Sequence, residues 1–172
     1  ELGVMPSGTG GDFRRTLGLP NSNREAAAAL RTGETRWIDA GKVTFSDLSG
    51  KTVSRYFLNV SSLGLAASII KRVKSAKVFD WLPVASLRGQ ANFAASTLQE
   101  VLDLDPVTIR VSLDDGEERM VQTINFCIAN SRYFGGGMMI APEAKINDGF
   151  LDVIHIGDIG TAKILVNAYT LY

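Results

Sequence analysis

"YFGGGMMIAPEAKINDGFLDV", residues 133–153, combines three glycines, a methionine pair and an Asn-Asp-Gly triplet in one short stretch. Gly135 to Gly137 permit a sharp bend or the close approach of another backbone or a ligand. Met138 and Met139 are adjacent, so in a strand they would face opposite sides. Because methionine often fills gaps in a core, core packing is favoured over a ligand surface for at least one of them. Residue types alone favour an ordinary turn at Asn147-Asp148-Gly149, followed by a further strand.

A second glycine-rich stretch, "VMPSGTGGDFRRTLGLP", occupies residues 4–20. Consecutive glycines can turn their N–H groups toward one point, and the Thr9 hydroxyl adds a donor, so this loop is a candidate phosphate cradle. A tight surface turn accounts for the glycines equally well. The spacing excludes the Walker pattern and the G-x-G-x-x-G dinucleotide pattern. Asp12 would repel a bare phosphate, so we expect it to act through a bound cation or a hydrogen bond.

The composition indicates an ordinary globular protein. Of the 172 residues, 45% are hydrophobic, and 18 basic side chains balance 18 acidic ones. A neutral chain has no long-range field that attracts nucleic acid, and no apolar run is long enough to span a membrane. The single Cys127 is expected in the core of a cytosolic protein. The start at Glu1 in an apolar run, without an initiator methionine, suggests a piece of a longer protein.

Hydrophobic periodicity predicts helices and strands in mixture, with a boundary near residues 33–36 where a loop and helix give way to strands. Helices are expected in 21–33, with an asparagine cap and Gly33 as the stop, and in 63–79, 84–104 and 161–172. Strands are expected at Leu2 to Met5, in a hairpin of 36–45 with 51–60, in a hairpin of 107–113 with 119–130, and in 149–157.

The two glycine-rich stretches resemble motifs of the diacylglycerol kinase catalytic domain family, which includes the bacterial lipid kinases and the sphingosine kinases. Residues 4–20 are similar to its P-x-G-T-x-N-D-F-A-R-x-L-G-I-P motif. "INFCIANSRYFGGGMMIAPEAKINDGFLDV", residues 124–153, is similar to its N-G-x-x-x-G-G-G-x-x-x-A-P-x-A-x-x-D-D-G-x-L-D-V segment. The motifs occur in the family's order, and together the resemblance covers nearly the whole chain.

The resemblance implies an α+β fold of the NAD kinase/diacylglycerol kinase type, mainly the β-rich, β-sandwich C-terminal lobe with helical insertions. Residues 1–34 would be the end of the nucleotide-binding lobe, with the glycine-rich loop and a helix. Residues 35–172 would form a β-rich lipid-binding lobe that is incomplete at its C-terminus.

The resemblance also implies a nucleotide-binding set at Gly8, Thr9, Gly10 and Asp12. Within it, Gly8 and Thr9 would contact the phosphates of ATP, and Asp12 would lie by the catalytic or metal region. Arg15 fills the family's arginine position. Two departures stand out, because Gly11 replaces an asparagine whose hydrogen bond would brace the loop, and Arg14 replaces an alanine.

A structural Mg²⁺ is held in bacterial lipid kinases by an aspartate and two main-chain carbonyls. The positions that match these ligands are Lys145, Asp148 and Phe150. One carboxylate with carbonyls and waters suits a hard, oxygen-seeking cation.

The implied reaction is transfer of the ATP γ-phosphoryl group to a lipid hydroxyl such as that of diacylglycerol, with ATP and Mg²⁺ as cofactors. The family's upstream G-G-D-G-T and distal Asp-Gly-Glu have no counterpart in place here, so we expect no catalytic residue and no phosphoryl transfer by this piece alone. A non-catalytic lipid- or ligand-binding module of the same fold and an NAD kinase relative are open alternatives. A homo-oligomer and peripheral contact with the inner membrane face are open as well.

Three weaker candidates are expected to have ordinary roles. "DDGEE", residues 114–118, lies upstream of the Gly-Gly-Gly segment, the wrong order for the family's general base, and is expected to be a solvated turn. His155 has no evident partner and is expected to be an ordinary strand residue. The basic run 71–77, with Phe79 and Trp81, could touch anionic lipid headgroups, but a solvated helix face is the favoured interpretation.

Overall fold

The computed structural model describes residues 1–7, 10–33, 35–75, 95–96, 99, 103 and 105–157. The helices within these residues are α1 (Asp12–Leu17), α2 (Asn23–Thr32) and α3 (Leu65–Ser75). The strands are β1 (Gly41–Ser46), β2 (Thr52–Phe57), β3 (Val60–Gly64), β4 (Val107–Val111), β5 (Arg119–Thr123), β6 (Asn125–Ala129), β7 (Tyr133–Phe134), β8 (Met138–Met139) and β9 (Asp152–Ile156). This mixture, in which strands outnumber helices, confirms the α+β prediction.

The alanine-rich prediction is confirmed by α2, with one correction at its start. The Ser22 Oγ accepts a hydrogen bond from the Glu25 N–H at 3.4 Å and caps the helix, whereas Asn23 is already its first helical residue. Gly33 follows the last turn, as predicted, and its N–H donates to a carbonyl of that turn. Helix α3 confirms the first part of the helix expected over 63–79.

Two antiparallel hairpins confirm those expected around the turn sequences. In the first, β1 pairs with β2, with Gly41 opposite Phe57. In the second, β4 pairs with β5, with Val107 opposite Thr123. The strand expected at Leu2 to Met5 was wrong, because these residues join no ladder among the described strands and a strand requires a partner's backbone groups.

The single strand expected over 119–130 was also wrong, because the chain changes partners at Ile124. Strand β5 pairs with β4, whereas β6 is the middle strand of a separate sheet in the order β3-β6-β9. The Ile124 N–H donates to the Ile156 carbonyl at 2.9 Å, and the Ile124 carbonyl accepts from the Leu65 N–H at 2.8 Å. Gly64 passes close by with a φ of 93°, and a Cβ there would lie 2.4 Å from the Ile124 oxygen. Glycine is therefore required where β3 ends.

The contacts divide the chain into two compact units. One comprises Glu1–Ser61 and Ile128–Ile154. Its core is a cluster of small buried side chains with branched residues packed on them, formed by Ala129, Ala141 and Ala144 with Val60, Ile140 and Ile154. Small residues allow the segments that carry them to pack closely, which fixes the loops that these segments support.

The other unit comprises Ser62–Cys127 and the described residues that follow Ile154. Buried Asn125 links its elements, because its Oδ1 accepts from the Ala66 N–H at 3.1 Å and its Nδ2 donates to the Cys127 Sγ at 3.0 Å. Burial raises the pKa of the Cys127 thiol, an effect that the Asn125 hydrogen bond partly opposes. Cys127 is fully buried, which confirms its predicted core position.

Several predicted features lie outside the described residues. They are most of the helix expected over 84–104, the closing helix over 161–172, and Phe79 and Trp81. Among the helices that are described, none combines the length and the apolar character needed to cross a lipid bilayer.

Candidate functional site

The two glycine-rich stretches meet at Asp12, the first residue of α1. The Asp12 Oδ2 accepts a hydrogen bond from the Gly136 N–H at 2.9 Å, across 124 residues of sequence. The backbones also lie close together, since a Cβ on Gly10 would be 3.9 Å from the Gly136 Cα. The structure therefore brings into one place the two motifs that sequence analysis could only connect by resemblance.

Arg15 completes this contact from the next turn of α1. One guanidinium nitrogen, Nη1, donates to the Asp12 Oδ1 at 2.9 Å and to the Gly10 carbonyl at 2.6 Å. The guanidinium also borders the second motif, since a Cβ on Gly137 would lie 3.5 Å from it. The Asp12 side chain is 15% exposed and that of Arg15 36% exposed. This pairing offsets the repulsion that a lone carboxylate would exert on a phosphate.

The Gly-Gly-Gly turn confirms the sharp bend expected from its sequence. Gly135, Gly136 and Gly137 have φ values of 66°, 89° and 127°, a backbone path that side chains with a Cβ rarely adopt. The turn joins β7 to β8, in which Phe134 pairs with Met138. Both methionines are half-buried.

The loop that precedes α1 explains one of the departures from the family motif. Gly11 has a φ of 64°, in the left-handed region that asparagine tolerates better than other residues with a Cβ. The backbone path is therefore one that either residue can adopt, and the Arg15 bond to the Gly10 carbonyl braces this loop. The Arg14 Nη1 donates to the Leu19 carbonyl at 2.7 Å, beyond the end of α1. Gly8 and Thr9 lie outside the described residues.

The second candidate locus is the turn at Asp148. The Asp148 Oδ1 accepts from the Phe150 N–H at 3.1 Å, and Gly149 has a φ of 79°, so the expected turn is present. The carbonyls of Lys145 and Phe150 accept no hydrogen bond within the described part of the chain, whereas the Ile146 carbonyl between them accepts one. The second carboxylate oxygen of Asp148 likewise accepts no hydrogen bond from the described residues.

This donor set fits Mg²⁺, which binds one or two carboxylates with other oxygens and keeps several waters. No cluster of three or more histidine, cysteine, aspartate or glutamate side chains suited to a metal occurs in the described ranges. A cation at Asp148 would therefore depend on main-chain carbonyls and water for most of its ligands.

Asp39 is a residue of this locus that sequence reasoning missed. Its Oδ2 accepts from the Gly149 N–H at 2.8 Å, and its own N–H donates to the Ile146 carbonyl at 2.6 Å. Asp39 thus holds both sides of the Asp148 turn. The sequence offered only "WIDAGK", which is typical of the approach to a strand, and the partner lies 110 residues away.

Asn130 is the second missed residue, and it supports Asp39. Asn130 is 1% exposed, and its Nδ2 donates to the carbonyls of Asp39 at 2.9 Å and Leu58 at 3.0 Å. Its N–H donates to the Asn59 carbonyl at 2.9 Å, and the Asn59 side chain bonds that of Ser131. This buried network joins three chain segments beneath the Asp148 turn.

A cavity of about 380 Å³ lies in the same unit. Its lining is mostly apolar and includes Leu2, Val4, Phe13, Leu17, Leu30 and Ile38. Neither Asp12 nor Asp148 lines it. The volume of a cavity therefore does not locate the candidate carboxylates here. We place the candidate site at the two polar loci, around Asp12 and around Asp148.

The remaining candidates have the ordinary positions expected of them. Residues 114–118 are an exposed turn in which Asp114 and Asp115 have positive φ values of 48° and 58°. His155 lies in β9, where its Nε2 is 3.0 Å from the Gln122 carbonyl and its ring is 6.4 Å from that of Phe126. Lys71 is exposed on α3, and most of the basic run 71–77 has side chains outside the described set.

Two family models and several known proteins match this chain. Residues 60–172 match the family described as the YegS C-terminal NAD kinase beta sandwich-like domain, and residues 1–43 match the diacylglycerol kinase catalytic domain. A diacylglycerol kinase from Mycobacterium tuberculosis is 31% identical over 165 residues, which cover 95% of this chain and 50% of that protein. A diacylglycerol kinase from Bacillus subtilis is 26% identical, with 95% and 49% covered.

The fold has a solved counterpart in the crystal structure of a diacylglycerol kinase from Bacillus anthracis. The TM-score is 0.62 at 23% identity, and the match covers 97% of this chain and 48% of that one. Fold and motifs together define the class as a β-sandwich-like lobe of the NAD kinase type, adjoining part of a diacylglycerol kinase catalytic domain. The chain belongs to the family of the YegS C-terminal NAD kinase beta sandwich-like domain. It spans about half the length of the curated relatives it matches.

Proposed function

We propose that the full-length protein transfers the γ-phosphoryl group of ATP to a hydroxyl of a lipid such as diacylglycerol. The observation that supports this most directly is the hydrogen bond from Gly136 to Asp12, because it joins the two family motifs into one locus. Phosphoryl transfer depends mainly on positioning and electrostatic stabilisation, which a braced glycine-rich loop is suited to supply.

Within this proposal, each part of the locus has a distinct role. Gly8, Thr9 and Gly10 have the residue types to bind the nucleotide phosphates, because glycine N–H groups and a threonine hydroxyl can donate hydrogen bonds to them. Asp12, the fourth residue of the proposed nucleotide-binding set, holds this loop against the Gly-Gly-Gly turn. Residues 1–34 belong to the end of the nucleotide-binding lobe and 35–172 to the lipid-binding lobe, and these 172 residues alone transfer no phosphoryl group.

Asp148, with the carbonyls of Lys145 and Phe150, is the proposed Mg²⁺ site. Two observations support this site. The two carbonyls have no hydrogen-bond partner among the described residues, and Asp39 hydrogen-bonds to both sides of the same turn. A bound Mg²⁺ would supply positive charge and fixed ligand geometry to this turn. The chain's own contribution is to orient the carboxylate, which the Phe150 N–H does by bonding one of its oxygens.

The function is tested by incubating the full-length gene product with Mg²⁺, ATP labelled in the γ-phosphate and a broad lipid panel that includes diacylglycerol. We expect label in a lipid. Labelling of NAD instead would identify an NAD kinase relative. Label in neither acceptor, with intact lipid binding, would identify a non-catalytic module.

The metal assignment has its own test in crystals grown with Mn²⁺. Anomalous density is expected beside Asp148, and an Asp148→Asn variant should lose it, because a neutral amide is a poorer ligand for a hard cation. Glu143→Gln removes another exposed carboxylate of the same region and should keep the density. An empty turn at saturating Mn²⁺ in the unaltered protein would refute the assignment.

A further inference from the structure

The β1–β2 hairpin carries large side chains that face solvent at its tip and along its strands. Leu48, in the connecting loop, is fully exposed, and Phe45, near the end of β1, is 46% exposed. Tyr56 is 73% exposed on β2, where it lies opposite Lys42. The hairpin forms a two-stranded sheet of its own among the described residues, so its apolar tip projects without a covering strand.

Hydrogen bonds hold the tip in this shape. The Asp47 Oδ1 accepts from the Ser49 N–H at 2.8 Å, the Ser49 Oγ at 2.6 Å and the Lys51 N–H at 3.0 Å. The Asp47 N–H donates to the Lys51 carbonyl at 2.9 Å, and Gly50 turns the chain with a φ of 81°. These hydrogen bonds close the loop and thereby hold Leu48 in its exposed position.

The charge of the hairpin is positive. Lys42, Lys51 and Arg55 are exposed, and the carboxylate of Asp47 is the one acidic group between Gly41 and Phe57. The hydrogen bond from Ser49 is the main reason that the pKa of Asp47 is lowered, so this group stays charged and three cations face one anion. The β4–β5 hairpin is the opposite case, because its turn carries Asp114, Asp115, Glu117 and Glu118.

We propose that the β1–β2 hairpin docks on an anionic lipid surface. Leu48 and Phe45 enter the boundary between headgroups and acyl chains, and Lys51 and Arg55 bind the anionic headgroups around them. Tyr56, farther from the tip, presents an apolar ring with a polar hydroxyl, which suits the headgroup layer. The proposal deepens the proposed function, because it gives a lipid kinase the surface that brings it to its substrate.

The test is sedimentation of the full-length protein with vesicles of equal parts phosphatidylcholine and phosphatidylglycerol, without diacylglycerol. We expect Leu48→Asp to lower the partition coefficient by about thirtyfold or more, and Lys51→Glu by about tenfold or more. Leu113→Asp is the matched control, because Leu113 is 51% exposed beside the acidic turn of the other hairpin. It should leave binding within about twofold, because that turn already repels anionic lipid.

Further outcomes distinguish failure of the proposed docking surface from failure of the proposed kinase reaction. Binding that is equal for phosphatidylcholine alone, or unchanged in Leu48→Asp, would overturn the docking surface. A smaller oligomer of Leu48→Asp, with vesicle binding unaffected, would assign the tip to a second copy of the chain. Activity on a soluble short-chain diacylglycerol should survive in Leu48→Asp. Its absence even in the unaltered protein would refute the kinase proposal and leave the vesicle result standing. Circular dichroism and an unchanged unfolding midpoint confirm that each variant folds.

Discussion

An Asp12→Ala variant of the full-length protein is expected to phosphorylate lipid at least about a hundredfold more slowly than the unaltered protein, since a misplacement of about 1 Å costs this much. Asp12 is the residue through which the loop of Gly10 contacts the turn of Gly136. Without its carboxylate, the Gly136 N–H and the Arg15 guanidinium both lose an acceptor. The measurement is kcat with labelled ATP, and the KM for ATP should change less than kcat.

The loss should come from position and not from unfolding. The Asp12 side chain is 15% exposed, so removal of its two hydrogen bonds should cost about 1–3 kcal/mol of unfolding free energy, which leaves the protein folded. Hydrogen exchange supplies a readout that does not depend on activity, because the Gly136 amide should exchange faster in Asp12→Ala.

Two controls sharpen the Asp12 experiment. Asp12→Asn keeps an acceptor for one of the two donors and should fall between alanine and the unaltered protein. Asp115→Asn changes an exposed aspartate with a φ of 58°, which asparagine tolerates, and should leave both rate and exchange unchanged. Unchanged exchange at Gly136 in Asp12→Ala would show that Asp12 does not hold the turn, whatever the rate.

The elements that the sequence predicted well are those whose signals are local. The Asp-Gly turn and the alternating residues of β4 and β5 mark a hairpin without reference to the rest of the chain, and the alanines of α2 do the same for a helix. The change of strand partner at Ile124 could not be predicted from local signals. Nothing in "RMVQTINFCIAN" marks the change of partner, because it depends on β9 and on the start of α3.

The residues of the candidate site likewise divide into those that the sequence predicts and those that it does not. Asp12, the Gly-Gly-Gly turn and Asp148 stand in recognisable motifs, so their residue types were predictable. Asp39 and Asn130 were not, because each acts through hydrogen bonds to segments far away in sequence. A buried asparagine that bonds main-chain carbonyls leaves no spacing pattern, since its partners are carbonyls that every residue possesses. The folded structure alone identifies such a residue.

Asn130→Ala is expected to lower the free energy of unfolding by about 2–4 kcal/mol, because two part-buried carbonyls lose their donor and each such loss costs about 1–3 kcal/mol. The carbonyls are those of Asp39 and Leu58, which the Asn130 Nδ2 joins to the segment after β6. The Asn130 Oδ1 is buried without a partner among the described residues, so its removal costs nothing. The measurement is urea unfolding, with Asn147→Ala as an exposed control expected to stay within about 0.5 kcal/mol.

The donor role can be separated from the loss of volume by Asn130→Asp, which keeps the shape and removes the donors. An ionised carboxylate would face two carbonyl oxygens in a buried site, so its pKa in the folded state should rise above the unfolded value of about 3.9. A raised pKa favours the folded state below the unfolded value and withdraws that stability as pH rises through the folded value. Asn130→Asp should therefore be less stable than Asn130→Ala at neutral pH and recover as pH falls, when the protonated carboxyl can donate to one carbonyl. Equal stabilities of the two variants across this pH range would show that Asn130 fills space and does not hold Asp39.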